Sequence, residues 1–269
     1  MQQKTQKSKH IILVLVLVGL VICLAGFSGT AKAFSLANPF VVNLATSSAF
    51  SFLLVGDSFM DTYSPVGDFL KKTLSSLKGV LVNRVGKVSS GLARPDFFNW
   101  SAKAQELVNL YKPNVVVAML GANDDQPLKV TDANGQKKFL IFGTGEWQAE
   151  YSRRVSDFIK IFQRQKATVF WVGLPVMRDK ARAERMKIIN SVCQATINNN
   201  LKGAFFVPTW PILYNAKGEY TDVLINQNGQ KVASHAPDGI HLSYFAGIAL
   251  VKKLVREMAS KLPLAFLIK

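Results

Sequence analysis

The sequence predicts an α/β protein in which helices enclose one five-stranded parallel sheet. Short apolar runs rich in β-branched and aromatic residues recur along the chain, as strands buried on both faces require. Amphipathic stretches with a helical period separate these runs, and strands alternating with helices at this spacing favour a parallel sheet. Five strands in about 220 residues fit a single doubly wound domain with short connections.

The predicted elements follow one another in a regular order. We predict strands at residues 50–55, 80–85, 115–120, 167–174 and 204–207. We predict helices at residues 66–77, 102–111, 146–165, 179–198 and 244–261. The sequence contains no internal repeat and no low-complexity linker, so residues 50–269 are predicted to form one domain.

Two insertions break the alternation of strands and helices. Residues 125–144 contain Asn134-Gly135 between two short apolar runs, and residues 209–237 contain Asn228-Gly229 in a similar setting. Asn-Gly between apolar runs is a strong signal for a hairpin. Both insertions follow the carboxyl end of a predicted strand, which is the edge where open α/β sheets bind ligands. We therefore expect two hairpins that form walls of a substrate cleft.

Residues 1–33 have the order of a secretory signal. Three lysines precede an unbroken apolar run at residues 11–27, and Ala31-Lys32-Ala33 fits a cleavage site. The run is slightly long for a cleaved signal and barely long enough to span a bilayer, so a signal peptide and an uncleaved membrane anchor both stay open. Either version predicts a periplasmic or other extracytoplasmic protein, secreted or anchored, with residues 34–49 as a linker.

The chain is strongly basic. It contains 33 lysine and arginine residues against 17 aspartate and glutamate residues, a net charge of +16. Without residues 1–33, which hold four lysines and no acid, the net charge is +12. Such a charge favours polyanionic partners, but export argues against nucleic acid, and the basic residues are scattered along the sequence. We expect a solvated basic surface suited to an anionic envelope.

Motifs for metal or cofactor chemistry are missing. No glycine-rich phosphate loop follows the first predicted strand, and the sequence contains no His-Glu-x-x-His motif. Two histidines and one cysteine, Cys193, lie outside the leader, so a zinc site would need mostly carboxylates. We predict neither a metal nor a cofactor. A single cysteine leaves no disulfide framework, and we expect Cys193 to pack in the core.

Two short motifs together hold the groups that serine-based acyl transfer needs. Gly56-Asp57-Ser58 follows the first predicted strand, and Asp238-Gly239-Ile240-His241 precedes the last predicted helix. A serine hydroxyl becomes a nucleophile when an imidazole takes its proton and a carboxylate orients that imidazole. The three-residue spacing lets one turn bring Asp238 against the ring of His241. Each motif alone is also typical of an ordinary turn or helix cap.

Further candidates follow other predicted strands. Gly91 lies in the loop after the second strand, and Asn123 lies in Gly121-Ala122-Asn123-Asp124 after the third. Glycine lets a backbone N–H group approach a ligand closely, and a side-chain amide can donate to a developing oxyanion. Candidates for contacts with the substrate are Arg94, Arg178 and His235.

In this order the four motifs resemble the four sequence blocks of the SGNH (GDSL-type) hydrolase superfamily, and the resemblance covers about residues 50–262. The longer strings of the last three blocks are similar to its exported branch called DUF459. The resemblance implies a flavodoxin-like three-layer α/β/α sandwich with a five-stranded parallel sheet.

The resemblance also implies roles for the motif residues. Ser58 would be the nucleophile, His241 the base and Asp238 the group that orients the base. The backbone N–H groups of Ser58 and Gly91, together with the side chain of Asn123, would form the oxyanion hole.

These features predict an exported serine esterase that hydrolyses acyl esters, with O-acetyl groups on an envelope carbohydrate as the expected substrate. A periplasmic polysaccharide O-acyltransferase with the same triad, a membrane-surface lipase, and a non-catalytic envelope binding or assembly protein stay open as alternatives. The expected partners are an acylated carbohydrate or another ester and, through the N-terminal segment, a membrane, but not nucleic acid.

Overall fold

The computed structural model describes residues 50–215, 218–226 and 228–262. The predicted leader or anchor at residues 1–33 and the predicted linker at 34–49 lie outside the described residues. All described residues belong to one compact unit. Within these ranges, no helix combines the length and the apolar character that crossing a membrane requires.

In the part of the chain that the structure describes, five parallel strands form the central sheet, which confirms the predicted sheet. They are β1 (Phe50–Gly56), β2 (Val80–Gly86), β3 (Val115–Met119), β6 (Thr168–Val172) and β7 (Ala204–Val207). Their order across the sheet is β2-β1-β3-β6-β7. The chain therefore moves from β1 toward one edge of the sheet and from β3 toward the other edge. Such a switch opens a crevice at the carboxyl ends of the strands. All side chains of β3 and nearly all of β1 are buried, because helices cover both faces.

Both predicted hairpins are present. The first consists of β4 (Leu128–Thr131) and β5 (Lys137–Leu140), and the second of β8 (Val223–Ile225) and β9 (Lys231–Ala233). The glycine of each Asn-Gly pair has a positive φ, 79° at Gly135 and 74° at Gly229, the conformation that this turn needs. The hairpins follow β3 and β7, so they leave the sheet at its carboxyl edge.

Among the described residues, five α-helices complete the three-layer sandwich. They are α1 (Pro65–Ser75), α2 (Trp100–Tyr111), α3 (Gly145–Gln163), α4 (Lys180–Asn200) and α5 (Tyr244–Lys261). Helix α1 packs against α5, whereas α2 packs against α3 and α3 against α4. Right-handed crossovers place these two groups on opposite faces of the sheet.

Some predicted boundaries are wrong by one or two residues, and local hydrogen bonds explain two of them. Asp179 was predicted inside a helix, but it caps α4, since its side chain accepts the Arg182 N–H at 2.6 Å. The fourth sheet strand ends at Val172 because Asn190 satisfies the backbone of Leu174, with its side chain accepting the N–H at 2.7 Å and donating to the carbonyl at 2.9 Å.

Candidate active site

Ser58, His241 and Asp238 form a continuous chain of hydrogen bonds at the carboxyl end of β1. The Nε2 atom of His241 lies 2.8 Å from Ser58 Oγ, and Nδ1 lies 2.6 Å from Asp238 Oδ2. When Nδ1–H donates to the carboxylate, Nε2 is left to accept the serine proton. The structure thus brings together the three side chains that the sequence singled out, in the geometry that activates a serine.

Hydrogen bonds from backbone N–H groups of the turn to the side chain of Asp238 hold the turn from Asp238 to His241 in shape. Oδ1 of Asp238 accepts the N–H groups of Ile240 at 2.8 Å and His241 at 3.0 Å. Gly239 has a φ of 68°, and a Cβ there would lie 2.6 Å from Arg178 Cβ, so the turn requires glycine. Burial acts to raise the pKa of Asp238, but the hydrogen bonds from His241 and Ile240 outweigh it and the pKa lies below its usual range. The carboxylate is therefore ionised at neutral pH.

Phe59 supports the imidazole. Its ring is 1% exposed and its centroid lies 5.2 Å from that of His241, with the rings tilted by 43°. The aromatic ring therefore packs against the imidazole of His241.

The buried carboxylate of Asp57 joins two loops of the site. Its Oδ1 accepts the Phe59 N–H at 3.0 Å, and its Oδ2 accepts the Ala122 N–H at 3.1 Å. Burial raises the pKa of Asp57 to about 7, against the opposing effect of these hydrogen bonds. Asp57 thereby holds the loop that carries Ser58 beside the loop that carries Asn123.

Asp124 makes a similar connection to the loop after β2. Its carboxylate accepts the N–H groups of Leu92 at 2.9 Å and Ala93 at 2.8 Å, and the hydroxyl of Tyr151 at 2.8 Å. A Cβ on Gly91 would lie only 2.0 Å from Asp124 Oδ1. Glycine is therefore required at residue 91 because the carboxylate occupies the space beside it.

Three N–H donors of these loops are available to a ligand. The side chain of Asn123 donates one hydrogen to the Ser90 carbonyl at 2.9 Å and has a second to give. The backbone N–H groups of Ser58 and Gly91 donate to no acceptor in the part of the chain that the structure describes. Preorganised donors of this kind stabilise an oxyanion, so the arrangement suits the predicted oxyanion hole, which stays a prediction.

The structure gives each predicted substrate-contacting residue a partner within the protein. Arg94 is exposed and pairs with Asp96 at 2.9 Å. The guanidinium of Arg178 donates to the Pro237 carbonyl at 2.7 Å and to the carboxylate of Asp222 at 3.0 Å. His235 is 6% exposed, its Nδ1 lies 2.8 Å from Ser234 Oγ, and burial lowers its pKa. Arg178 therefore supports the turn that carries His241, and a contact of any of the three with substrate stays a prediction.

Sequence reasoning missed several residues that position the site. In the sequence, Asp57 directly precedes Ser58 and Asp124 directly follows Asn123. This adjacency to candidate residues is the signal by which the two aspartates could be predicted. Arg154 donates to the carbonyls of Leu92 and Ala93 at 2.9 and 3.1 Å, but it lies far along the chain on α3 and no motif marks it. Among the described residues, no three histidine, cysteine or acidic side chains come together as a metal site.

Comparisons with solved structures show which fold this is. An acetylxylan esterase from Geobacillus stearothermophilus, solved as a catalytic mutant, has a TM-score of 0.56 and 16% identity over 79% of this chain and 95% of that one. A GDSL-like lipase from Bacteroides thetaiotaomicron has a TM-score of 0.52 and 13% identity over 79% and 89%. An α/β hydrolase enzyme from the metagenome of Lake Arreo, Spain, has a TM-score of 0.52 and 13% identity over 80% and 95%.

Sequence comparison identifies the family. No curated protein sequence matches the chain. The model of a family described as "Protein of unknown function (DUF459)" matches residues 51–257, which is most of the chain and includes all four motifs. The chain therefore belongs to the DUF459 family and has the fold of the SGNH (GDSL-type) hydrolases.

Proposed function

We propose that this protein is a serine esterase that hydrolyses acyl esters. The hydrogen-bond chain from Asp238 through His241 to Ser58, with contacts of 2.6 and 2.8 Å, carries the proposal. The acetylxylan esterase of similar fold has been solved as catalytic mutants with a serine, a histidine or an aspartate replaced by alanine. The same three residue types form the triad here.

The geometry supports a two-step reaction. Ser58 Oγ attacks the ester carbonyl carbon while His241 Nε2 takes its proton, and Asp238 stabilises the imidazolium that forms. The negative oxygen accepts hydrogen bonds from the N–H groups of Ser58 and Gly91 and from Asn123. His241 then gives its proton to the leaving alcohol, which leaves the acyl group on Ser58. Water, deprotonated by the same imidazole, attacks this acyl-enzyme, releases the acid and restores the serine.

The substrate we propose is an O-acetyl ester on a carbohydrate of the cell envelope, in a periplasmic or other extracytoplasmic setting. The predicted export signal and the similarity of fold to an acetylxylan esterase support this choice. A polysaccharide O-acyltransferase would form the same acyl-enzyme and pass the acyl group to a sugar hydroxyl instead of water.

A panel of esters tests the proposal. Full-length protein is expected to release acetate from an O-acetylated polysaccharide and to cleave acetyl esters faster than long-chain esters. Ser58→Ala protein should release none above the uncatalysed rate. Faster cleavage of long-chain esters would favour a lipase. Transfer to an added sugar acceptor in preference to water would favour the acyltransferase, and a lack of turnover of every ester would contradict an esterase.

Replacing Asn123 by alanine should lower kcat for an acetyl ester by about 10²–10³-fold, because one donor to the oxyanion is lost. KM should change little, since the oxyanion forms after binding. The free energy of unfolding should fall by about 1 kcal/mol, the typical contribution of the lost hydrogen bond to Ser90. Steady-state kinetics and urea unfolding measure both quantities.

Asn109→Ala is the matched control, because Asn109 is exposed on α2 and, among the described residues, its side chain hydrogen-bonds only to Gln105. It should leave kcat unchanged. A kcat for Asn123→Ala equal to that of wild type would remove Asn123 from the oxyanion hole.

A further inference from the structure

The segments where helices end and the next strands begin gather at the amino edge of the sheet. They comprise residues 71–80, 108–115, 158–168, 197–204 and 254–262, and we call them together the basic pole. Hydrogen bonds join neighbouring segments, such as Thr168 N–H to the Asn114 carbonyl at 2.9 Å and the side chain of Gln163 to the Lys202 carbonyl at 2.8 Å. Helices α1 and α5, which carry the first and the last segment, pack against each other. Five separate stretches of sequence therefore form one surface.

The basic pole holds almost all the net charge of the described residues. Its one acidic residue is Glu257, and its ten basic residues are Lys71, Lys72, Lys78, Lys112, Lys160, Arg164, Lys166, Lys202, Arg256 and Lys261. The other described residues carry 17 basic and 16 acidic side chains and are nearly neutral together. Charges that are scattered along the sequence are thus concentrated by the fold.

Nine of the ten basic side chains are exposed without an ion pair to any described residue. The exception is Lys72, which pairs with Asp68 at 2.7 Å, while Glu257 pairs with Lys253 outside the pole. All five helices end here, but a helix end carries only about half a negative elementary charge, so the five ends together leave most of the positive charge uncompensated. The basic pole therefore presents a strong positive potential to solvent.

We propose that the basic pole docks the protein on an anionic lipid bilayer, with the catalytic edge turned away from the membrane. Clusters of lysine and arginine are attracted to the surface potential of anionic lipids. Ser58 and His241 lie at the carboxyl ends of the strands, the opposite edge of the sheet, so docking leaves them open to substrate.

The position of the chain entry also supports a bilayer as the partner. Phe50, the first described residue, begins β1 at the edge of the basic pole, where its N–H donates to the Gly79 carbonyl at 2.9 Å. The predicted linker at residues 34–49 can reach about 55 Å when extended. An anchor at residues 1–33 and the basic pole can therefore engage the same membrane.

A single-stranded nucleic acid fits the basic pole less well. Proteins that bind such strands commonly add aromatic rings on which the bases stack. The exposed aromatic side chains of the described residues all lie outside the pole: Tyr63, Phe97, Phe139, Tyr214, Tyr244 and Phe245. The surface offers charge without stacking platforms, as a lipid headgroup layer requires.

Co-sedimentation of the full-length protein with vesicles tests the proposal. Phosphatidylcholine vesicles containing phosphatidylglycerol should bind the protein more tightly than pure phosphatidylcholine vesicles, and high salt should abolish the difference. A pole variant carries Lys112→Gln, Arg164→Gln, Lys166→Gln and Lys202→Gln. It should bind the anionic vesicles about tenfold or more weakly, because each basic residue near the surface adds to the attraction.

A control variant loses the same charge at the catalytic edge, through Lys87→Gln, Lys129→Gln, Lys137→Gln and Lys231→Gln, and should bind as wild type does. Equal weakening of both variants would overturn the proposal, and so would equal binding of wild type to anionic and neutral vesicles. Binding of wild type to soluble polyphosphate but not to anionic vesicles would assign the pole to an acidic polymer instead. The two wild-type comparisons can overturn the proposal even where a variant folds poorly.

Discussion

Replacing Ser58 with alanine is expected to lower kcat for an acetyl ester by a factor on the order of 10⁶. In the proposed mechanism the hydroxyl oxygen forms the acyl-enzyme, and within the described residues the Ser58 side chain has its one hydrogen bond with His241, at 2.8 Å. Since no other side-chain hydrogen bond is lost, the free energy of unfolding should stay within about 0.5 kcal/mol of wild type. Spectrophotometric kinetics and urea unfolding measure the two quantities on the same preparations.

Ser75→Ala is the matched control, because Ser75 is exposed at the end of α1 at the opposite edge of the sheet. Its kcat should equal that of wild type. If Ser58→Ala kept more than a small fraction of wild-type activity, another group would be the nucleophile and the proposed mechanism would be wrong.

Replacing Asp238 with asparagine is expected to lower kcat by roughly 10⁴-fold. The carboxylate accepts Nδ1–H of His241 and so keeps Nε2 free for the serine proton. An amide NH₂ group in that place donates to Nδ1, which moves the imidazole proton to Nε2 and leaves no base facing Ser58. The amide oxygen can still accept the N–H groups of Ile240 and His241, so the turn should keep its shape.

Asp222→Asn is the control for Asp238→Asn, because Asp222 is an exposed aspartate nearby that contacts Arg178 and Tyr220 rather than His241. The amide oxygen of the asparagine can still accept the hydrogen bond from Arg178, which supports the turn of His241, so this variant should cost little activity. Equal losses for the two variants would mean that the local charge matters and not the tautomer of His241. Wild-type kcat in Asp238→Asn would remove Asp238 from the mechanism.

The sheet and both hairpins could be predicted from sequence because their signals are local. Burial on both faces makes β1 and β3 continuous apolar runs, and Asn-Gly marks each hairpin turn. Helix ends were less accurate because caps such as Asp179 depend on which N–H group a side chain reaches. That choice is made by the three-dimensional path of the chain and not by composition.

The catalytic triad could be proposed because its members lie in two short motifs, but its supports could not. Tyr151 and Arg154 act through Asp124, Leu92 and Ala93, which are distant in sequence, and only the packing of α3 against the sheet brings them there. The roles given to Arg178 and His235 show the same limit, since burial and partners within the protein decide what a polar side chain can contact. The basic pole could not be predicted either, because its basic residues come from five separate segments and form no single run in the sequence.

Labelling with a fluorophosphonate, followed by mass mapping of the peptides, tests most directly whether this protein forms an acyl-enzyme on Ser58. We expect one adduct, on the peptide that contains Ser58, in the full-length wild-type protein. The adduct should be absent from Ser58→Ala and should form much more slowly in Asp238→Asn, where the base is lost. A wild-type protein that acquires no adduct, or acquires it on another residue, would contradict a Ser58 nucleophile.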